Sequence, residues 1–233
     1  MKSWLLKVSS YWNLLRVCAC CGWALGQSRQ STERFDSRGE FSLCPSCWET
    51  LNAPQIESGE STYPFPVRTL CVWGEANSKV CRHLLLALKG GGPARIYAPF
   101  AVAMSELMAP ISTHGTTIVP SPAQQNFDRP DHAEQLAKAL AAVLSAEYWP
   151  CLGRMEGVAQ KSRSFHERWG AERLKLKEGL DTKTAWGRAS HSRRLIFVDD
   201  VITTGATASS AYRALGQPGN FEVWTIFRRP RLR

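Results

Sequence analysis

The chain has no run of about eighteen apolar residues, the length an α-helix needs to cross a bilayer, so membrane insertion is not expected. Its first fifteen residues are mildly apolar, but Lys7, Ser9, Ser10 and Asn13 interrupt them and no small-residue cleavage site follows. A secretory leader is therefore not expected, and a cytoplasmic location is the default. The glycines at 90–92 lack the Gly-Lys-Ser/Thr that would complete a phosphate-binding P-loop. They also follow a helical pattern rather than a strand, which excludes a dinucleotide fingerprint and leaves a helix stop as the simplest role. No internal repeat is visible. Acids are in short supply, with twenty Asp and Glu against twenty-nine Lys and Arg, for a net charge of +9. The shortage is local: residues 151–233 hold sixteen cations and eight acids, whereas residues 1–150 hold thirteen and twelve. Such a surface attracts polyanions and phosphorylated small molecules, and it equally describes a solvated basic face.

The 233 residues suffice for one α/β domain and a small appendage, and 44% hydrophobic with 21% charged residues suits a globular chain. The eight cysteines are unevenly placed. Cys18-x-x-Cys21 and Cys44-x-x-Cys47 form two knuckle-like pairs, a spacing that lets four thiolates converge on one Zn²⁺. Cys20 is a rival first ligand, and disulfides are the competing structure, disfavoured in a reducing compartment. The polar stretch 27–40 cannot build a core, so a metal would supply the missing stability. A four-thiolate site leaves no position for water, which points to a structural rather than a catalytic zinc. Cys71, Cys81 and Cys151 stand apart and read as small buried hydrophobes. Together with an amphipathic helix over 3–16, these pairs define a first unit, residues 1–62, that ends in a Pro-, Gly- and Ser-containing linker.

Residues 63–233 alternate strand and helix patterns. Strands are predicted at 67–73, 116–120, 195–198 and 221–227. Helices are predicted at 77–89, 96–108, 131–148 and 206–215, with a loop and helix over 155–178. This order implies an α/β fold with a mainly parallel sheet covered by helices on both faces.

The most informative segment is 195–207, Leu-Ile-Phe-Val-Asp-Asp-Val-Ile-Thr-Thr-Gly-Ala-Thr. A buried strand ends in two carboxylates, Asp199 and Asp200, and a hydroxyl- and glycine-rich turn then opens a helix. Carboxylates accept hydrogen bonds from vicinal ribose hydroxyls. Free N–H groups at a helix start, aided by Thr203, Thr204 and Thr207, suit a phosphate dianion. Gly205, beside Ala206, allows positive φ and close approach of a ligand. A plain capped turn with solvated acids is the bland alternative.

This segment resembles the 5-phosphoribosyl 1-pyrophosphate (PRPP) motif of type I phosphoribosyltransferases. There the acids bind the ribose hydroxyls and the loop wraps the 5′-phosphate. Combined with the paired C-x-x-C module, the chain is similar to the ComF/GntX family, associated with natural transformation or use of external DNA. Leu88-Lys89, Val119-Pro120-Ser121-Pro122, and Arg154, Gln160-Lys161 and Glu167-Arg168 resemble further family landmarks. The resemblance implies a phosphoribosyltransferase-like domain that binds PRPP or ribose 5-phosphate, with Mg²⁺ accompanying PRPP. In it Asp199, Asp200, Lys89 and Arg129 would serve the reacting centre, and residues 203–207 would hold the phosphate. Where the family carries several arginines after its Pro-rich strand, residues 123–132 keep one, Arg129, followed by Asp131-His132. One arginine is thin support for a pyrophosphate. His132 reads equally as a ligand contact or as a locally bonded helix-start histidine. The resemblance also implies single-stranded DNA and other DNA-uptake proteins as partners. Phe165, Trp169 and Trp186, interleaved with Lys161, Arg163, Arg168, Arg173, Lys175 and Lys177, would offer stacking and charge to a strand, although aromatics beside cations are more often ordinary packing.

Overall fold

The computed structural model describes residues 63–75, 77–89, 97–108, 114–123, 131–155 and 173–229. The four-cysteine unit predicted for 1–62, with Cys18, Cys21, Cys44 and Cys47, lies outside the described residues, as do Arg129, the glycines at 90–92 and the basic segment 156–172.

Seven strands and five helices are described. They are β1 (Val67–Val72), α1 (Ser78–Lys89), α2 (Tyr97–Met108), β2 (Thr116–Pro120), α3 (His132–Leu144), β3 (Glu147–Tyr148), β4 (Leu152–Arg154), β5 (Leu174–Leu176), α4 (Thr182–His191), β6 (Arg194–Ile202), α5 (Ala206–Ala214) and β7 (Phe221–Arg228). Five strands form one sheet in the order β1-β7-β6-β2-β3, with every neighbouring pair parallel. β4 and β5 make a separate antiparallel pair. The α/β class and mainly parallel sheet expected from the alternation are thus present.

The central strands are apolar on both faces because both faces are covered, as parallel sheets require. Ile118, Ile196, Val198, Trp224 and Ile226 pack with α1, α2 and α3. Val119, Leu195, Phe197, Phe221 and Val223 pack with α4, α5, the β4–β5 pair and Phe65. Phe65 meets Tyr212 and Phe221 edge-on at ring-centroid distances of 5.3 and 5.1 Å, which fastens the start of the described chain to the second face.

From β2 the chain turns outward through α3 to β3, whereas from β6 it turns the other way through α5 to β7. The C-terminal ends of β2 and β6, adjacent and parallel, therefore flank a topological switch point, where open α/β sheets form their ligand crevices.

Four expectations are corrected. The helix predicted over 131–148 stops at Leu144, because Ser145 takes a left-handed conformation (φ 50°) and Tyr148 joins β3. Strand β5 occupies part of the 155–178 stretch read as loop and helix, since Leu174 and Leu176 alternate with Lys175 against β4. Helix α4 was not anticipated; it buries only Ala185 and Ala189 and so shows no apolar stripe. Finally, β6 does not end before the acids. It runs through Asp199 and Asp200 to Ile202; β2 pairs with it as far as Val198, and from there on β7 alone holds it.

Candidate functional site

The two acids lie where the strand's face alternation slips. Val198 and Val201 both pack with the α1–α3 cluster, while Phe197 and Ile202 both pack with the opposite one. Strict alternation would separate residues three apart and residues five apart, so neighbouring carboxylates at this slip are not held on cleanly opposite faces. They interact. Burial, followed by the adjacent Asp200 charge, pushes the Asp199 carboxyl well above the ordinary carboxylate range, although its Oδ1 accepts the Asp200 N–H at 3.0 Å. Asp200 moves the other way. Burial pulls it upward, but the His132 contact, His132 and Lys89 charge, and Asp199 together outweigh that pull and hold it well below its usual range.

Asp199 opens into a small cavity of about 80 Å³ shared with residues 203–207, Arg173 and Thr225. Here Gly205 adopts φ +70°, as its position in the turn predicted, and immediately precedes α5. The Thr204 hydroxyl oxygen accepts the Ala206 N–H at 3.3 Å. Among the described residues no protein group accepts from the N–H groups of Thr207 or Ala208, so the first turn of α5 presents donors and the positive end of its dipole to the cavity. The Tyr63 ring lies over Gly205, where a Cβ would sit, a contact the sequence did not announce.

On the other side three helices converge on Asp200, which is only 6% exposed. Lys89, the last residue of α1, places Nζ 3.3 Å from Oδ2, and His132, the first residue of α3, places Nε2 3.2 Å from the same oxygen. His132 Nδ1 is 3.6 Å from Asp131 Oδ1, and Asp131 caps α3 by accepting the Ala133 N–H at 3.1 Å. Tyr97, the first residue of α2, donates its hydroxyl to Leu88 O at 2.8 Å; burial and the Asp131 and Asp200 charges raise its pKa. Arg154 on β4 donates from Nε to Pro122 O at 2.9 Å and Ala123 O at 3.0 Å. It thereby ties down the segment after β2 and adds positive charge near Asp199 and Asp131.

The structure thus brings together Asp199, Asp200, Thr203, Thr204, Gly205, Ala206, Thr207 and Lys89. Arg129 and the four zinc-spaced cysteines are outside the described residues, and among those described no group of three or more His, Cys, Asp or Glu is placed to hold a metal. His132, weighed evenly from sequence, contacts Asp200; Arg154, matched to a family landmark, bonds the segment after β2, and Tyr63 gave no signal in the sequence. Cys71, Cys81 and Cys151 are buried as expected, but the Cys71 and Cys81 sulfurs lie 3.8 Å apart rather than isolated. Of the proposed stacking patch, Trp186 packs its ring on Gly216 and donates to Ala214 O at 3.1 Å. Lys175, Lys177 and Arg213 line a broader groove of about 430 Å³ between β5, α4 and α5. Among the described residues no helix is long and apolar enough to cross a membrane.

No protein-family model matches this chain, and no curated protein matches it either.

Proposed function

We propose that this protein is a type I phosphoribosyltransferase-like protein of the ComF kind, and that residues 199–207 bind PRPP or a related ribose phosphate in the service of DNA uptake or the use of external DNA. The observation that carries the reading is the shared cavity: Asp199, the Thr-Thr-Gly-Ala-Thr turn and the open N–H groups of α5 meet at the C-terminal edge of the sheet, beside its switch point. Phosphate accepts from the Thr207 and Ala208 amides and the turn hydroxyls, and the acids receive the ribose hydroxyls. Such a site works by positioning and charge, so phosphoribosyl transfer needs no activated serine or cysteine.

Asp199 and Asp200 offer the hard oxygens that Mg²⁺ prefers, and two carboxylates plus substrate phosphates are a common way of holding it. Bound there, the ion would supply positive charge to the phosphate oxygens. Lys89 and Arg154 add fixed charge on the same side. The test is thermal stabilisation by PRPP and ribose 5-phosphate, each with and without Mg²⁺. The wild type is expected to shift, and the Asp199→Ala, Asp200→Ala double variant to lose the shift; a wild type that ignores both compounds removes the reading.

The groove lined by Lys175, Lys177 and Arg213 favours a companion reading, direct contact with single-stranded DNA. Anisotropy of a labelled strand at two salt concentrations tests it. Binding that weakens steeply with salt is expected, whereas no binding, or binding indifferent to salt, rejects it.

A further inference from the structure

Two thiols outside the phosphate turn face each other. Cys71 lies near the end of β1, the outermost strand of the five-stranded sheet, and Cys81 lies near the start of α1. Their sulfurs are 3.8 Å apart, close enough for an S–H···S hydrogen bond. Sulfurs that already meet have the convergent Cβ directions a disulfide demands, and closing to a bond of about 2.05 Å asks for side-chain rotation and a small approach of helix to strand. Cys71 has the more reactive surroundings. Asn77 Nδ2 donates to its sulfur at 3.4 Å and to Val72 O at 2.9 Å, while Asn77 Oδ1 accepts the Gly74 N–H at 2.8 Å, which fixes the amide in place. The hydrogen bond with Cys81 holds the Cys71 thiol below its ordinary range, against the upward push of burial. Both side chains are buried, at 3% and 0% exposure, but under a thin cover. Every described residue from Trp73 to Ser78, the turn between strand and helix, is half-buried or exposed, and Asn77 is among them. A water-sized oxidant therefore reaches the Cys71 sulfur by displacing one amide.

We propose that Cys71 and Cys81 form an oxidative modification site, which hydrogen peroxide converts to a disulfide that clips β1 to α1. The Cys71 thiolate attacks one peroxide oxygen and the O–O bond breaks. The departing hydroxide takes up the proton the Cys71 thiol had lost and leaves as water. The Cys81 sulfur then attacks the sulfenic acid formed on Cys71; the S–S bond forms, the S–OH bond breaks, and hydroxide leaves with the Cys81 proton as a second water. In all, two thiols lose two electrons and peroxide is reduced to two waters. The clip fixes the start of the helix whose last residue, Lys89, reaches Asp200, and so restrains one flank of the acid pair. It does not depend on what the turn at 203–207 binds.

Cys151 is the internal control. It is as deeply buried, and burial pushes its thiol up to about 12. The full chain would be treated with hydrogen peroxide under native conditions, its remaining thiols alkylated, and a tryptic digest mapped by mass spectrometry with and without reduction. Lys79 lies between the two cysteines, so trypsin separates them unless they are bonded. The expected result is a Cys71–Cys81 cross-link that reduction releases, with Cys151 alkylated. In Cys81→Ser the sulfenic acid persists at Cys71 and is captured by dimedone, whereas in Cys71→Ser the Cys81 thiol is alkylated. The proposal is overturned if Cys71 and Cys81 are both alkylated after treatment, or if they pair only with other cysteines. Cross-linking that appears only together with Cys151 oxidation reports unfolding and overturns it too. So does dimedone capture at Cys81 of the Cys71→Ser protein in place of capture at Cys71. The wild-type map decides the matter even where a variant fails to fold.

Discussion

At the scale of single residues, Gly205 carries two constraints at once. Its φ of +70° is a conformation that costs an L-residue about 1–2 kcal/mol, and its missing Cβ is where the Tyr63 ring rests. Gly205→Ala must therefore both strain the turn and displace the ring. Denaturant unfolding is expected to show a loss above the backbone cost alone, with weaker phosphate binding. Gly187 is the internal control. It sits inside α4 with open space around its Cα and no positive φ, so Gly187→Ala should stabilise by about 0.5–1 kcal/mol. An equal response at both positions would mean that the turn tolerates a side chain. The glycine's role was legible beforehand because a helix entered from a hydroxyl-rich turn calls for a permissive backbone. The ring above it was not, since Tyr63 reaches it from 142 positions earlier in the chain.

At the scale of elements, what was legible depended on whether local pattern and tertiary burial agreed. β2, β6, β7, α1 and α5 carry their own signatures: continuous apolar runs for strands covered on both faces, and a one-sided stripe, Leu84 and Leu88, for α1. β3 and β4 are two and three residues long and carry no periodicity to read. α3 ends at a serine held in a left-handed turn, where Leu144 before it and Ala146 and Glu147 after it look helical. The acid pair and its turn were readable because they are contiguous. The Lys89–Asp200–His132 cluster draws from three separate elements and exists only once they pack.

The sheet's edge shows a second such convergence. Glu222 on β7 accepts from Arg194 on β6 (2.7 and 2.9 Å) and from Arg68 on β1 (3.0 Å), and it also receives Trp224 Nε1–H at 3.1 Å. One carboxylate thus links three neighbouring strands. Burial raises its pKa, but the Arg194 and Trp224 hydrogen bonds and the two arginine charges bring it below the usual glutamate value. A depressed folded pKa means stability that is present above the unfolded value, about 4.3, and lost as pH falls through the folded one. Glu222→Gln is expected to lower stability at pH 7 by about 1–3 kcal/mol, the scale of hydrogen bonds to a charged group. The gap to wild type should narrow as pH drops below about 4.3, read from denaturant midpoints across pH. A gap that is constant with pH would assign the effect to packing instead.

At the scale of the whole molecule, the fold places one acidic pair at the switch point of a sheet whose chain is otherwise basic, and it splits the pair's protonation. Asp200 is held charged by His132 and Lys89, whereas Asp199 is driven toward its neutral form by burial and by Asp200 beside it. A raised folded pKa costs stability once the group must ionise at higher pH, so the empty protein favours a proton on Asp199. A ligand that brings Mg²⁺ or a phosphate-bound cation to this edge reverses the preference, because positive charge near a carboxylate favours its ionised form. Binding should then release a proton. Affinity for ribose 5-phosphate with Mg²⁺ is expected to rise with pH across the range in which Asp199 titrates, with a slope of no more than one proton. Calorimetry in two buffers of different ionisation enthalpy should show the same release. Asp199→Asn, which cannot ionise, should flatten the pH profile and abolish the buffer dependence while keeping the phosphate turn. If the variant retains the wild-type proton release, the proton comes from elsewhere, and the division of labour between the two acids does not govern binding.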